Sequence, residues 1–214
     1  CAVLTFIPGE GYREIFASLG VDHCILYTSH LPAVGDVLNY IDTIPEQNII
    51  VLPNNKNIIP AVLTAAEETT KHVSVIHTDT ILQGLTTAYG YSANDCLEDN
   101  VTNMKDCLDL ATGIYIYKSS MESGFDGRAI HPGEYFALCG EDLTAVGQDL
   151  VTVALESIRS CGASAAGGAS NITFFYRDDE VLTNIRGLED TLRGELDNPE
   201  IEYLYGGQYR ETLI

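Results

Sequence analysis

Basic residues are scarce in this chain: 214 residues carry 11 Lys and Arg against 31 Asp and Glu, a formal charge of -20. A surface of that sign repels phosphate backbones and anionic headgroups, which speaks against direct nucleic-acid binding. Long hydrophobic runs are missing as well. Gly, Asn, Asp and Pro interrupt every apolar stretch well short of the ~20 residues that span a bilayer, so no membrane insertion is expected and the protein reads as soluble and cytoplasmic. No basic segment followed by an apolar core and a cleavage site marks a secretory signal. The six cysteines (Cys1, Cys24, Cys96, Cys107, Cys139, Cys161) form no CxxC pair, which suggests neither a zinc knuckle nor a redox motif; reduced, buried thiols are expected. His23 stands beside Cys24, yet neighbours on a strand point to opposite faces, so no metal site is read there.

Catalytic signatures are also lacking. The sequence contains no nucleophile elbow, Walker A loop, HExxH or GxGxxG, and no catalytic residue is assigned. Arg210-Glu211 reads as a solvated pair.

What is present is a globular pattern, 45% hydrophobic, long enough to bury one large core or two smaller ones. Cys1 opens the chain without a Met, and Ala2–Ile7 already reads as a buried strand, so the chain is expected to be cut from a longer protein. As far as residue 110, short β-branched runs (2–7, 22–27, 48–52, 72–76) alternate with helical periodicities (10–19, 33–44, 56–70, then 81–90 and 94–109), the signature of parallel βαβ units. Gly20 marks one helix end, and Asp79 or Thr80 a helix start. From 111 the rhythm changes. Runs at 112–119, 128–131, 135–139 and 143–146 predict an antiparallel meander, with turns at Gly124, Asp126-Gly127 and Gly140–Asp142. A helix at 148–160, a small-residue loop at 162–170, a strand at 171–176, a helix at 179–197 and a strand at 201–205 complete it. The expectation is an α/β protein with a parallel subdomain, 1–110, and an α+β subdomain with a mainly antiparallel sheet, 111–214.

Open parallel sheets take ligands and partners at the carboxyl ends of their strands. Four loops lie there: Pro8–Gly11, Thr28–Ala33, Pro53–Asn57, and His77–Thr80 leading to Gln83-Gly84. Gly9 and Gly11 flank Glu10 just before a helix, where backbone N–H groups favour an anion, but Glu10 itself can serve as that anion, which favours a self-capped turn. Ser29 and Thr78 carry hydroxyls able to hold a carboxylate or a backbone group, and Gln83 an amide. The third loop is the most unusual. Asn tolerates left-handed backbone and caps helices, but Asn54, Asn55 and Asn57 together, with the Lys56 amine in an acidic chain, exceed what a turn requires. A recognition role is read there.

Six pieces follow one another across nearly the whole chain: PGEG (Pro8–Gly11), IIVLPNNKNI (Ile49–Ile58), HTDTILQGL (His77–Leu85), TGIYIY (Thr112–Tyr117), HPGEYFAL (His131–Leu138) and YGGQ (Tyr205–Gln208). In that order they resemble the C-terminal domain of the fatty-acid kinase A proteins, the dihydroxyacetone-kinase-like or DAK-phosphatase-like family. The resemblance implies a DegV-like fold. It also implies a parent kinase whose N-terminal domain holds ATP and magnesium, so that no cofactor, metal or catalytic residue belongs to this piece. Its role would be to dock a DegV-like fatty-acid-binding protein, or other domains of the same kinase, through Asn54, Asn55, Lys56 and Asn57, with Gly9, Glu10, Ser29, Thr78 and Gln83 around them. DegV-like relatives hold an acyl carboxylate with a Thr-Ser-Gln-Pro-Ser loop and an Asp-Ser pair. This sequence keeps Thr28, Ser29 and Pro32 but has His30, Leu31 and Ala33 between and after them, and Glu10 after the first strand. Docking is therefore the leading reading, and a fatty-acid or small-molecule binding module the alternative.

Overall fold

In the computed structural model, which describes residues 1–125, 127–162, 170–196 and 198–214, Ala2–Ile7 forms a strand (β1) buried at all six residues. A strand so apolar must be covered on both faces, as in a parallel sheet clothed by helices. It pairs in parallel with His23–Leu26 (β2) on one side and Asn48–Leu52 (β3) on the other, and β3 pairs in parallel with His72–Val75 (β4). The order is β2-β1-β3-β4. Successive residues alternate between faces: Leu4, Phe6, Ile49 and Val51 share a core with Val37 and Ile41 of helix α2 (Val34–Thr43) and Val62 and Ala65 of α3 (Ile59–Glu68). Helix α1 (Gly11–Ser18) buries Tyr12 and Phe16, and Gly20, at φ 82°, turns the chain after it.

Helix α3 starts three residues later than the periodicity predicts. Asn55 explains this, because its Oδ1 accepts the Asn57 N–H (2.9 Å) and its carbonyl the Ile58 N–H (2.9 Å), which makes Asn55–Asn57 a turn instead of a first helical turn. Helices α4 (Ile81–Ala88) and α5 (Leu97–Asp106) follow β4. Gly90 joins them where a Cβ would lie 2.5 Å from the Asn103 carbonyl oxygen. The predicted helix at 94–109 is shorter because buried Asn100 bonds the Ser92 N–H (2.8 Å) and carbonyl (2.9 Å), holding that segment as a turn. These elements form one unit, Cys1–Ala111; Thr112–Ile214 form another.

In the second unit the predicted meander is corrected. Tyr135–Cys139 (β8) pairs antiparallel with both Ile114–Lys118 (β5) and Asp142–Gly147 (β9), while Arg128–Ile130 (β7) pairs only with Ser123–Phe125 (β6) as a separate hairpin. The cause is a tight Pro132-Gly133 turn. Glu134 N–H returns to the His131 carbonyl (3.1 Å), Gly133 adopts φ 89°, and the Gly133 and Ser119 N–H groups bond Ser119 and Glu134 carbonyls (2.7 and 2.8 Å). That closure joins β5 to β8 directly and leaves 123–130 as an excursion. Asp126 of the predicted hairpin turn lies outside the described residues, as do 163–169 of the predicted small-residue loop and Asp197.

Helix α6 (Leu150–Gly162) packs on β8 and β9. Asn171–Tyr176 (β10) and Glu200–Tyr205 (β11) pair in parallel. The single helix predicted at 179–197 is two, α7 (Asp179–Ile185) and α8 (Leu188–Glu195), divided at Arg186-Gly187, where glycine weakens the helix. Thr212–Ile214 runs between β5 and β10: Ile116 N–H bonds the Leu213 carbonyl (2.8 Å) and Phe175 N–H the Ile214 carbonyl (2.8 Å). The result is the α/β arrangement expected of a DegV-like fold, a four-stranded parallel sheet plus antiparallel sheets.

Candidate functional site

In the order β2-β1-β3-β4 the chain leaves β1 towards one edge and β3 towards the other, so the crevice of an open parallel sheet falls at the carboxyl ends of β1 and β3. Asn54 sits there. Its backbone is left-handed (φ 55°) and it is only 2% exposed. Its Nδ2 donates to Thr5 Oγ1 (2.7 Å) and to the Phe6 carbonyl (2.8 Å), both on β1. Thr78 Oγ1, in the loop after β4, donates to Asn54 Oδ1 (2.8 Å) and accepts the Asn54 N–H (2.9 Å). Thr5 and Thr78 are both fully buried. The fourth wall is helix α4: a Cβ on Gly84 would stand 2.0 Å from Asn54 Oδ1. Three strand ends and a helix thus meet on one carboxamide.

The sequence pattern presents Asn54 and Thr78 as contact residues, but their polar atoms face inward and are spent on each other and on β1. They hold the edge together, and the contact surface lies on their neighbours. Asn55, half-buried, shapes the turn through Oδ1 and reaches the Tyr27 hydroxyl with Nδ2 (3.5 Å). Lys56 N–H bonds the Asp79 carbonyl (3.2 Å), fastening this loop to the fourth, while its side chain is exposed and makes no ion pair among the described residues. Asn57 is exposed beside it.

The remaining candidates are placed more locally. Gly9 is buried, its carbonyl accepting the Tyr12 N–H (3.3 Å). Glu10 is exposed and pairs with Arg13 (2.8 Å); the Arg13 guanidinium holds the Glu10 carboxyl below its ordinary range, mainly through that hydrogen bond. Ser29 is exposed, with Oγ 3.1 Å from His30 Nδ1, and is not joined to the Asn54 network. Gln83 is braced at both ends of its amide: Oε1 accepts the Asp79 N–H (2.8 Å) and Nε2 donates to Asp109 Oδ1 (3.1 Å). Thr80 caps α4 by accepting the Gln83 N–H (3.3 Å).

Two residues of the network, Thr5 and Gly84, are not among the site residues that the sequence pattern points to. Each has a signal: Thr5 is the one polar residue in Ala2–Ile7, and Gly84 interrupts an otherwise good helix at a cost of ~1 kcal/mol relative to Ala.

A groove of about 360 Å³ opens elsewhere, along β2, lined by residues that include Arg13, His23, Cys24, Leu26, Tyr40 and Ile44. None of the four strand-end loops contributes to it. Burial pushes the Cys24 thiol up to about 11, which makes it a poor nucleophile. Among the described residues no three His, Cys, Asp or Glu side chains converge as a metal-binding group, and no helix is long and apolar enough to cross a membrane.

Comparison with known proteins agrees with this geometry. The model of the FakA-like C-terminal family, the C-terminal part of proteins like fatty acid kinase A, matches residues 2–214. An uncharacterized protein of Staphylococcus epidermidis is 28% identical over 218 residues, covering 97% of this chain and 37% of that protein. An uncharacterized protein of Staphylococcus aureus strain USA300 is 28% identical over 198 residues, covering 92% of this chain and 34% of that protein. The chain spans about a third of the length of these relatives. It belongs to the FakA-like C-terminal family of fatty acid kinases.

Proposed function

We propose that the chain is the non-catalytic docking part of a fatty acid kinase, engaging an acyl-bearing partner or the kinase's other domains through the outer face of Pro53–Asn57. The supporting observation is the division of labour within that loop. Asn54 turns its amide inward and fixes the backbone, so that Lys56 and Asn57 are presented outward on a rigid base. An ammonium without an ion pair, in a chain of net charge -20, is a specific feature for a partner to read. In this reading the partner is a DegV-like fatty-acid-binding protein in the cytoplasm. ATP and magnesium belong to a separate N-terminal domain of the parent, which performs the phosphoryl transfer on the acyl carboxylate.

The test is the affinity of the 214-residue chain for an acyl-loaded DegV-like carrier, measured for the native sequence and for Asn55→Ala and Lys56→Ala. A loss of about tenfold or more for Lys56→Ala is expected, the size of one good interfacial contact. Unchanged affinity in both variants removes the proposal.

A second reading, a lipid or small-molecule binding module, has the groove along β2 in its favour, since 360 Å³ falls within the size range of ligand sites. Native mass spectrometry after incubation with a long-chain fatty acid separates the two: a retained one-to-one adduct supports binding by this chain itself.

A further inference from the structure

We infer that the Asn54 carboxamide is an internal ligand: it fills the position at the mouth of β1 and β3 where an open parallel sheet takes a small molecule, and the groups around it form a subsite for a primary carboxamide. This subsite lies on the inner side of the loop, away from Lys56, and so stands or falls separately from docking.

Position comes first. The crevice at the switch point is the place where this class of sheet leaves room, because the connections depart from β1 and β3 in opposite directions. Here that place is occupied by a side chain that enters from the end of β3 on a left-handed residue. The donor and acceptor pattern is that of an amide and of nothing else of the same size. The nitrogen faces two acceptors, Thr5 Oγ1 at 2.7 Å and the Phe6 carbonyl at 2.8 Å; the oxygen faces the Thr78 hydroxyl at 2.8 Å. Phe6 O can only accept, so a carboxylate in this position would meet a repelling oxygen. Shape agrees, since Gly84 leaves the α4 backbone bare where any side chain would run into the amide. The side chains facing the amide from β1 and from the loop after β4, and the backbone of α4 at Gly84, carry no titratable group. For function the consequence is that this crevice is closed to an exogenous acid while Asn54 is in place, and that what meets the edge meets its outer loop.

The experiment empties the subsite and offers it a free amide. Asn54→Gly removes the carboxamide and keeps a residue at ease with φ 55°. Thermal unfolding of the full 214-residue chain is followed with acetamide or with sodium acetate at matched concentration and ionic strength. Acetamide at ten times its dissociation constant shifts the unfolding equilibrium of the variant about tenfold towards the folded state. The native protein, whose subsite is filled, shows no such response, and acetate does not substitute in the variant. A folded variant that acetamide stabilises no more than it does the native protein, or that acetate stabilises equally, overturns the inference.

Should Asn54→Gly fail to fold, Asn54→Asp tests the same subsite. Its ionised form has no proton for Phe6 O, so folding raises the pKa of the introduced carboxyl. The variant's stability relative to the native protein is then greatest below the unfolded value and is lost as pH rises through the folded value. A deficit that is flat with pH, or that shrinks as pH rises, overturns the inference as well.

Discussion

Each unit of this protein closes the ends of a parallel strand pair with a buried carboxamide, and the two closures differ in what they hold. In the first unit Asn54 is gripped by side chains from β1 and from the loop after β4, 49 and 24 residues away in sequence. In the second, Gln208, fully buried after Gly206-Gly207, donates to the Phe175 carbonyl at the end of β10 (2.7 Å), and that oxygen also accepts the Ile214 N–H (3.1 Å). The first network depends on specific side chains, whereas the second leans on main-chain partners that no substitution removes. Side-chain networks fail together when one member is lost, because the groups left behind are buried without partners. The first edge is thus built as a rigid platform and the second as a local seam.

The largest effect that can break this contrast comes from Gly84→Ala. Alanine favours a helix by about 1 kcal/mol over glycine, but the new methyl would sit 2.0 Å from Asn54 Oδ1. The carboxamide must leave its partners, so a net loss of about 4 kcal/mol is expected, read as a lower urea midpoint. A neutral or stabilised variant would show that the loop has room to move and that the platform is not rigid. Next is Thr78→Val, which keeps the shape and removes the hydroxyl serving both Asn54 N–H and Oδ1. Two buried polar atoms lose their partner, worth about 3 kcal/mol in the same urea measurement.

The matching change in the second unit is smaller. Gly207→Ala meets only the far end of Tyr205, its hydroxyl oxygen 2.7 Å from the built Cβ and more than half exposed as a residue. The ring can swing away, which leaves mainly the strain of φ 63°, about 1 to 2 kcal/mol. A loss equal to that of Gly84→Ala would erase the distinction between platform and seam.

How much of this is legible in the sequence follows the same division. The parallel strands are readable because Ile49–Leu52 and Ala2–Ile7 are continuous apolar runs, which fully buried strands require. The Asn-rich loop is recognisable as carrying more than a turn needs. Which asparagine turns inward is not readable, because that depends on Thr78 and Thr5, and no local pattern joins residues so far apart. The same reason hides Thr212–Ile214: three residues are too few to show a strand period, and their place between Ile116 and Phe175 is set by long-range pairing. The separate β6–β7 hairpin is hidden too, because strand order along the chain suggests a meander while the Pro132-Gly133 turn brings β5 and β8 together across it.

The smallest expected effect lies on the outer rim of the platform and tests whether rigidity there is electrostatic. Glu10 and Arg13 pair across one turn at the start of α1, both well exposed. The pair holds the Glu10 carboxyl below its ordinary range, so its contribution is present above the unfolded pKa and is lost as pH falls through the lower, folded value. Arg13 also donates to the Cys24 carbonyl on the edge strand β2 (2.8 Å), so Glu10→Gln is the cleaner change, since it removes the ion pair and leaves that bond in place. The variant should lose a small part of the stability gained between acid and neutral pH and nothing at low pH, where Glu10 is protonated in the native protein. Exposed pairs are screened, so the difference should fade as salt is added. A difference that persists at high salt would mean that the rim, like the buried amide beneath it, is held by geometry instead of charge.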